Sequence, residues 1–395
     1  MNRDELTGWL RLSLTPGIGN QGARRLLACF GPPDALFQQG AQALQQVVGP
    51  AQATALGEVP TGLPDLFDAT WAWLHPDELP PHAPARRIVC LGDPRYPTGL
   101  LATEDPPLLL YYLGGPGADT LEADWFVRSF RTSVAIVGSR NPTPQGLINA
   151  RQFGRALAEA GLTIVSGLAL GIDGAAHQGA LVGSALLHGQ AATVAVVGTG
   201  LDRVYPKAHL GLARDIAQRG LVISEYPIGT PALAANFPRR NRLIAGIAHG
   251  TLVVEAALQS GSLITARLTV EQGKDVFAIP GSIHSTQSRG CHALIQQGAK
   301  LVESARDVLE EGRWTVETPT SPARRSDGWV DPPPGTDSDQ DSLLAALGFD
   351  PVSLDALLAR TGLQTAHLQA QLMALELNGQ VARLPGGLFQ RMASA

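Results

Sequence analysis

Two stretches of the chain gather arginine and exclude acid. Residues 125–158 carry Arg128, Arg131, Arg140, Arg151 and Arg155, and residues 226–254 carry Arg239, Arg240 and Arg242, with no Asp or Glu in either. The second stretch contains Asn236-Phe237-Pro238-Arg239-Arg240-Asn241-Arg242, an aromatic ring beside three guanidinium groups at an expected helix start. Guanidinium forks hold phosphate oxygens and a ring stacks a base, so this combination suits single-stranded nucleic acid. The plainer alternative is a helix start whose arginines pair with acids elsewhere and whose phenylalanine is core. Nearby lie five short Gly/Ser-rich segments: Gly138-Ser139-Arg140, Ser166-Gly167-Leu168, Gly198-Thr199-Gly200-Leu201-Asp202, Glu225-Tyr226-Pro227-Ile228-Gly229 and Gln259-Ser260-Gly261-Ser262. Several lead into an expected helix N-terminus, where free N–H groups and the helix dipole favour an anion. Singly, each is an ordinary tight turn. Five on one edge predict a phosphate-binding crevice.

Signatures of catalysis are sparse. Asp173 and His177 stand four residues apart at an expected helix start, as an acid–base pair, as metal ligands, or as groups that cap and pack their own helix. Glu225 and Glu255 end two strands read as neighbours and offer a carboxylate pair or two braces for loop backbone. The first regular strand runs into Gly-Ser-Arg-Asn-Pro-Thr-Pro-Gln-Gly rather than G-x-G-x-x-G, and neither a Walker loop nor a G-x-S-x-G elbow occurs. Cys29, Cys90 and Cys291 lie far apart with no C-x-x-C, which excludes a disulfide framework or zinc knuckle and suits a reducing cytoplasm. No catalytic residue, metal or cofactor is expected.

The elements that must position these residues follow from periodicity. Short apolar runs at 134–138, 162–167, 194–198, 221–225, 252–256, 276–280 and 300–302 alternate with helical patterns at 146–160, 173–181, 209–219, 241–248, 263–272 and 292–297. Such alternation means βαβ units, a mostly parallel sheet covered on both faces, and an α/β, Rossmann-like doubly wound domain. Ligands in such sheets bind beyond the carboxyl ends of the strands, where the five segments fall. Expected domains are a helical segment 1–85, the sheet domain 86–310 with lead-in strands at 86–130, a Pro/Ser/Asp-rich linker 311–340, and a winged helix 341–395 built from helices at 353–360 and 364–377 and a hairpin at 381–391. Within the first segment, Thr15-Pro16-Gly17-Ile18-Gly19-Asn20 between two short helices suits either a phosphate-touching helix-hairpin-helix or a packing corner.

Whole-chain numbers at first oppose a nucleic-acid partner. The 395 residues carry a formal net charge of −5, from 30 Lys+Arg against 35 Asp+Glu. Arginine supplies nearly all of the positive charge, which a GC-rich genome also produces, so position must decide. Eight of the arginines fall in the two acid-free stretches, and the average then hides a basic crevice on an acidic body. No apolar run reaches the ~20 residues of a membrane span, and the N-terminus lacks a signal-peptide pattern.

Taken in order, several motifs are specific. Val134-Ala-Ile-Val-Gly-Ser-Arg140, Ser166-Gly-Leu-Ala-Leu-Gly-Ile-Asp-Gly-Ala-Ala-His177, Gly200-Leu-Asp-Arg-Val-Tyr-Pro206 and Asn236-Phe-Pro-Arg-Arg-Asn-Arg242 come first. Val254-Glu-Ala256, Ser260-Gly-Ser-Leu-Ile-Thr-Ala266 and Ala278-Ile-Pro-Gly281 follow. Together they resemble the DNA-processing DprA/Smf family, strongly over 134–303 and loosely in flanks that look sterile-alpha-motif-like and winged-helix. The resemblance implies a dimeric, cytoplasmic, non-catalytic protein of natural transformation. Such a protein binds single-stranded DNA, loads RecA onto it, and acts where single-strand-binding protein already sits. Carried onto this chain, it implies phosphate contacts at Arg140 and Lys207, a base stacked on Phe237, and DNA contacts from Arg239, Arg240, Asn241 and Arg242. The loop segments Gly138-Ser139, Ser166-Gly167 and Ser260-Gly261-Ser262 complete the expected site.

Two other readings stand beside it. LOG-type nucleoside-monophosphate phosphoribohydrolases resemble this sheet pattern, but their Pro-Gly-Gly-x-Gly-Thr-x-x-Glu loop is replaced here by Glu255-Ala-Ala-Leu-Gln-Ser-Gly-Ser262, without the trailing Glu. A recombinase adaptor with weak DNA affinity is the third. The winged-helix segment departs from a DNA reader: its presumed recognition helix, 364–377, holds no Lys or Arg, which suits a protein contact or a dimer-modulating role.

Overall fold

The computed structural model describes residues 1–78, 83–115, 123–184, 189–312, 314, 338–348 and 350–392. Nine strands make one sheet: β1 (Arg86–Cys90), β2 (Leu109–Gly114), β3 (Ser133–Val137), β4 (Thr163–Ser166), β5 (Thr193–Val196), β6 (Leu221–Ser224), β7 (Gly250–Val253), β8 (Asp275–Ala278) and β9 (Lys300–Leu301). Their spatial order is β1-β2-β6-β5-β4-β3-β7-β8-β9. The seven strands from β6 across to β9 are parallel, and the lead-in pair β1–β2 joins antiparallel at β6. Every residue of β3, β4, β5, β6 and β7 is buried, because crossover helices cover both faces. The chain winds outward from β3 to β6, then returns to the other side of β3 as β7. That reversal opens a crevice between the carboxyl ends of β3 and β7.

Two compact units divide the chain: residues 1–141 with 149–315, and residues 142–148 with 316–395. In the first, the helices Arg3–Leu14, Asn20–Phe30, Pro33–Leu36, Ala41–Leu44, Pro50–Gly57 and Leu63–Leu74 share one core with the sheet. Leu6, Leu10 and Leu26 continue through Trp73, which meets Tyr111 of β2 edge-on at 6.0 Å, to Ala195 and Val222. The helical segment and the sheet are therefore welded, rather than strung as separate beads. In the 15–20 corner, Gly17 takes a left-handed φ of 77° and its carbonyl accepts a hydrogen bond from Gln52.

The second unit contains helices Ser338–Leu347, Leu354–Thr361 and Thr365–Leu377 with strands β10 (Val352–Ser353), β11 (Val381–Leu384) and β12 (Leu388–Arg391), ordered β10-β12-β11. Ser353 caps its helix by accepting from the Ala356 N–H, and Gly362 ends that helix in the left-handed region. Leu343, Leu357, Leu368, Leu372 and Phe389 close a small core of winged-helix form. Its first helix begins at Ser338, inside the stretch expected as linker 311–340, most of which lies outside the described residues. No helix among the described residues is long and apolar enough to cross a membrane.

Candidate nucleic-acid interface

The floor of the crevice is backbone. Beyond β3 the chain turns at Gly138, where a Cβ would sit 2.7 Å from Ile172 and 2.9 Å from the Glu255 carbonyl. A side chain there would push the β3 and β7 loops apart, so glycine sets their spacing. Ser139 then ties both sides, donating its N–H to the Glu255 carbonyl at 2.7 Å and accepting from the Ile172 N–H at 3.1 Å. Beyond β4, the Asp173 carboxylate accepts from the N–H groups of Gly167 and Ala169, bracketing Leu168, which is held at a φ of 58°. Asp173 is thus a loop brace. Burial pushes its pKa up, against the pull of the Arg240 charge.

The arginine-rich motif opens the helix Asn236–Ile247, and its members part company. Sequence placed the helix from 241; the structure starts it at Asn236, because proline is tolerated in a first turn, where N–H groups lack intrahelical partners. Arg240 turns inward and is 3% exposed. It donates to the carbonyls of Gly167 and Val196, clamping the ends of β4 and β5, and its Nε has no partner among the described residues. Burial lowers its pKa to about 10, still high enough to keep the charge at neutral pH. Arg242 is drawn aside into ion pairs with Glu225 and, at 3.5 Å, Asp105. Asn241 donates to the Gly261 carbonyl at 3.3 Å, holding this helix to the β7 loop. Arg239 points outward, exposed.

Phe237 is half-buried over Gly198, and Tyr205 lies 5.3 Å from it, ring centroid to ring centroid. The Arg140 guanidinium sits 5.7 Å from the Phe237 centroid, a cation over a ring face. Arg140 is exposed, with no hydrogen bond or ion pair to any described residue. Tyr205 is the residue that sequence reasoning passed over. Its signal was present, an aromatic two residues before Lys207, but its distance from Phe237 in sequence hid the pairing.

A cavity of about 720 Å³ joins these groups. Gly138, Ser139, Arg140, Phe237, Arg240, Asn241, Ser260, Gly261 and Ser262 line it, as does Tyr205. On its far wall the Ser260 and Ser262 hydroxyls are 2.7 Å apart, at the N-terminus of helix Ser262–Glu271. Ser166 and Gly167 lie beneath the lining; Ser166 is buried and donates to the Ile136 carbonyl at 2.6 Å. Lys207 stands outside the lining, exposed on the short turn Lys207–His209. The site therefore offers a free cation, Arg140, an aromatic pair on one wall, and hydroxyls with a helix N-terminus on the other.

Several expectations are corrected. Arg128, Arg131, Arg151 and Arg155 do not line the crevice: Arg128 bonds the Gly189 carbonyl, Arg151 bonds Gln178, and Arg155 pairs with Glu159 one helical turn on. Glu225 and Glu255 cannot form a carboxylate pair, because β5, β4 and β3 stand between β6 and β7. His177 is fully buried, with Nδ1 2.8 Å from Thr193 Oγ1, and burial drives its pKa down to about 3. Among the described residues no group of three or more His, Cys, Asp or Glu could hold a metal ion.

The chain matches two family models, DNA recombination-mediator protein A over residues 87–313 and the DprA winged helix domain over 330–387. Protein Smf of Escherichia coli K12 is 39% identical over 330 residues, covering 81% of this chain and 80% of that protein. DNA processing protein DprA of Streptococcus pneumoniae is 48% identical over 219 residues, covering 55% of this chain and 72% of that protein. The X-ray structure of DprA from S. pneumoniae superposes with a TM-score of 0.63 at 35% identity, covering 80% of this chain and 99% of that one. With one model spanning more than half of its length and a relative this similar across four-fifths of it, the chain belongs to the DprA/Smf family of DNA-processing proteins.

Proposed function

We propose that the crevice holds one strand of DNA and that the protein delivers that strand to RecA during natural transformation, without catalysing a reaction. The observation that carries this is Arg140, exposed, free of acidic partners among the described residues, and set over the Phe237 ring at the mouth of the cavity. In this reading Arg140, Lys207 and Arg239 neutralise phosphates, while Phe237 and Tyr205 present ring faces to bases. Arg240 holds the carbonyls that shape the floor, and Arg242 positions the helix through Glu225. A non-catalytic role is supported by the commitment of Asp173 to backbone N–H groups and of His177 to Thr193. The protein acts in the cytoplasm as a homodimer, with single-strand-binding protein as a further contact.

A titration of single- and double-stranded oligonucleotides across salt tests the reading. Arg140→Ala/Lys207→Ala should weaken single-strand binding at least about a hundredfold, two lost charge-assisted contacts at ~1.5–3 kcal/mol each. The slope of log affinity against log salt should fall by roughly 1.4. Full affinity in the folded double variant would exclude this site.

A further inference from the structure

Resting on the single-strand reading of the crevice, we infer that the strand continues beyond it over the loop following β8, where Ile283 and His284 take a further base and Arg289, at the start of the next helix, takes its phosphate. Residues 276–302 form a third acid-free stretch, with His284, Arg289, His292 and Lys300 as its basic side chains. The loop leaves the carboxyl end of β8, next to the β7 loop, and its Gln287 lines the crevice. It is built to keep its shape. The Gln287 carbonyl accepts from the Ala256 N–H at 2.7 Å, the Ser285 N–H reaches the Ser282 carbonyl at 3.0 Å, and His292 Nε2 lies 2.9 Å from the Gly281 carbonyl.

That fixed frame holds an isoleucine out in water. Ile283 is 74% exposed at the tip, beside an exposed His284. Arg289, also exposed, has no hydrogen bond or ion pair to any described residue. A single exposed apolar side chain is ordinary. An apolar wedge and an imidazole on a fastened loop, with an unpaired guanidinium at the first residue of the helix Arg289–Gln296 that follows, bordering a cationic crevice, match what an unstacked nucleotide requires.

The test compares oligonucleotide lengths. Fluorescence anisotropy is measured with single strands of about five and about fifteen nucleotides, within the range of single-strand site sizes, for the wild-type chain and the variant Ile283→Ser/His284→Ala/Arg289→Ser. All three side chains are exposed, so the fold should persist, which a thermal melt checks. The variant should bind the long strand about tenfold more weakly, with a salt slope lower by roughly 0.7, and bind the short strand as wild type does. Unchanged affinity for the long strand, or equal loss at both lengths, overturns the loop's role. Failure of the wild-type chain to bind even the short strand overturns the crevice reading itself.

Discussion

Two helices of similar length, each a candidate to meet DNA, treat charge in opposite ways. Asn236–Ile247 carries three arginines in its first two turns; Thr365–Leu377, the third helix of the winged module, carries no Lys or Arg at all. The first is set beside a cavity at the switch point of a parallel sheet. The second buries Leu368, Leu372 and Leu375 and leaves Met373 and, at 80%, Leu377 exposed to solvent. The third helix of the winged module thus lacks the cations that phosphate neutralisation requires. Yet the arginine-rich helix is not simply a cationic face either. Arg240 is a clamp on carbonyls, Arg242 is half of an ion pair, and Arg239 alone of the three faces outward. What a charge can do is set by what already surrounds it.

That division can be broken one arginine at a time. Arg242→Ala should have the largest effect on stability, because it strands the largely buried Glu225 carboxylate; the expected loss is about 3 kcal/mol, read by denaturant melts. Affinity of the surviving folded fraction for a single strand should hardly change. Arg239→Ala should do the reverse, with an unchanged melt and roughly tenfold weaker binding. If the two phenotypes coincide, the partition of the motif into structural and binding members is wrong.

Acid should weaken the sheet unit through one buried histidine. His177 is buried with its pKa lowered from 6.5 to about 3. Between those values the unfolded chain binds a proton that the folded chain refuses, so stability falls as pH drops below about 6.5. One such group costs ~2–3 kcal/mol by pH 4.5. Asp173 and Glu225, raised by burial, take up protons in the folded state and offset part of the fall. Comparing wild type with His177→Gln isolates the histidine: the variant's stability should decline less over this range. A steeper decline in the variant would contradict the assignment.

Phe237→Ala probes the crevice without touching charge. Stacking is worth about 1–3 kcal/mol per base, so single-strand affinity should fall roughly tenfold with an unchanged salt slope, and Phe237→Trp should restore it. Loss of salt dependence in Phe237→Ala would mean that the ring acts by placing Arg140 rather than by stacking.

The sheet was legible because strands buried on both faces read as unbroken apolar runs, and β3 through β8 lie within one or two residues of expectation on most ends. Loops at strand ends were legible for the same reason. What the sequence hid was neighbourhood. Strand order cannot be read from the runs, so Glu225 and Glu255 looked adjacent when three strands part them. Helical rotation carried Arg151 and Arg155 off the crevice, and Glu159, just past the acid-free stretch, reaches back one turn to Arg155. Asp105, more than a hundred residues away, takes up Arg242. Acid-free in sequence is not acid-free in space.

The winged module should matter least to single-strand binding, and the structure says where to cut to ask. Deletion from 341 would sever the helix Ser338–Leu347, whose Leu343, Leu344 and Leu347 help close the module's core, and leave a frayed turn behind. Removing 338–395 takes the whole helix. The part removed brings no cation on its third helix, while the exposed cations proposed to hold the strand, Arg140, Lys207 and Arg239, all stay. Counterion release depends on the number of phosphates neutralised, so both the affinity for a single strand and its salt slope should match wild type, to within about threefold in affinity. A large drop would require a cation or stacking group that the third helix does not contain, and would move the strand's path onto other parts of the module, Arg383 above Phe389 on the β-hairpin first among them.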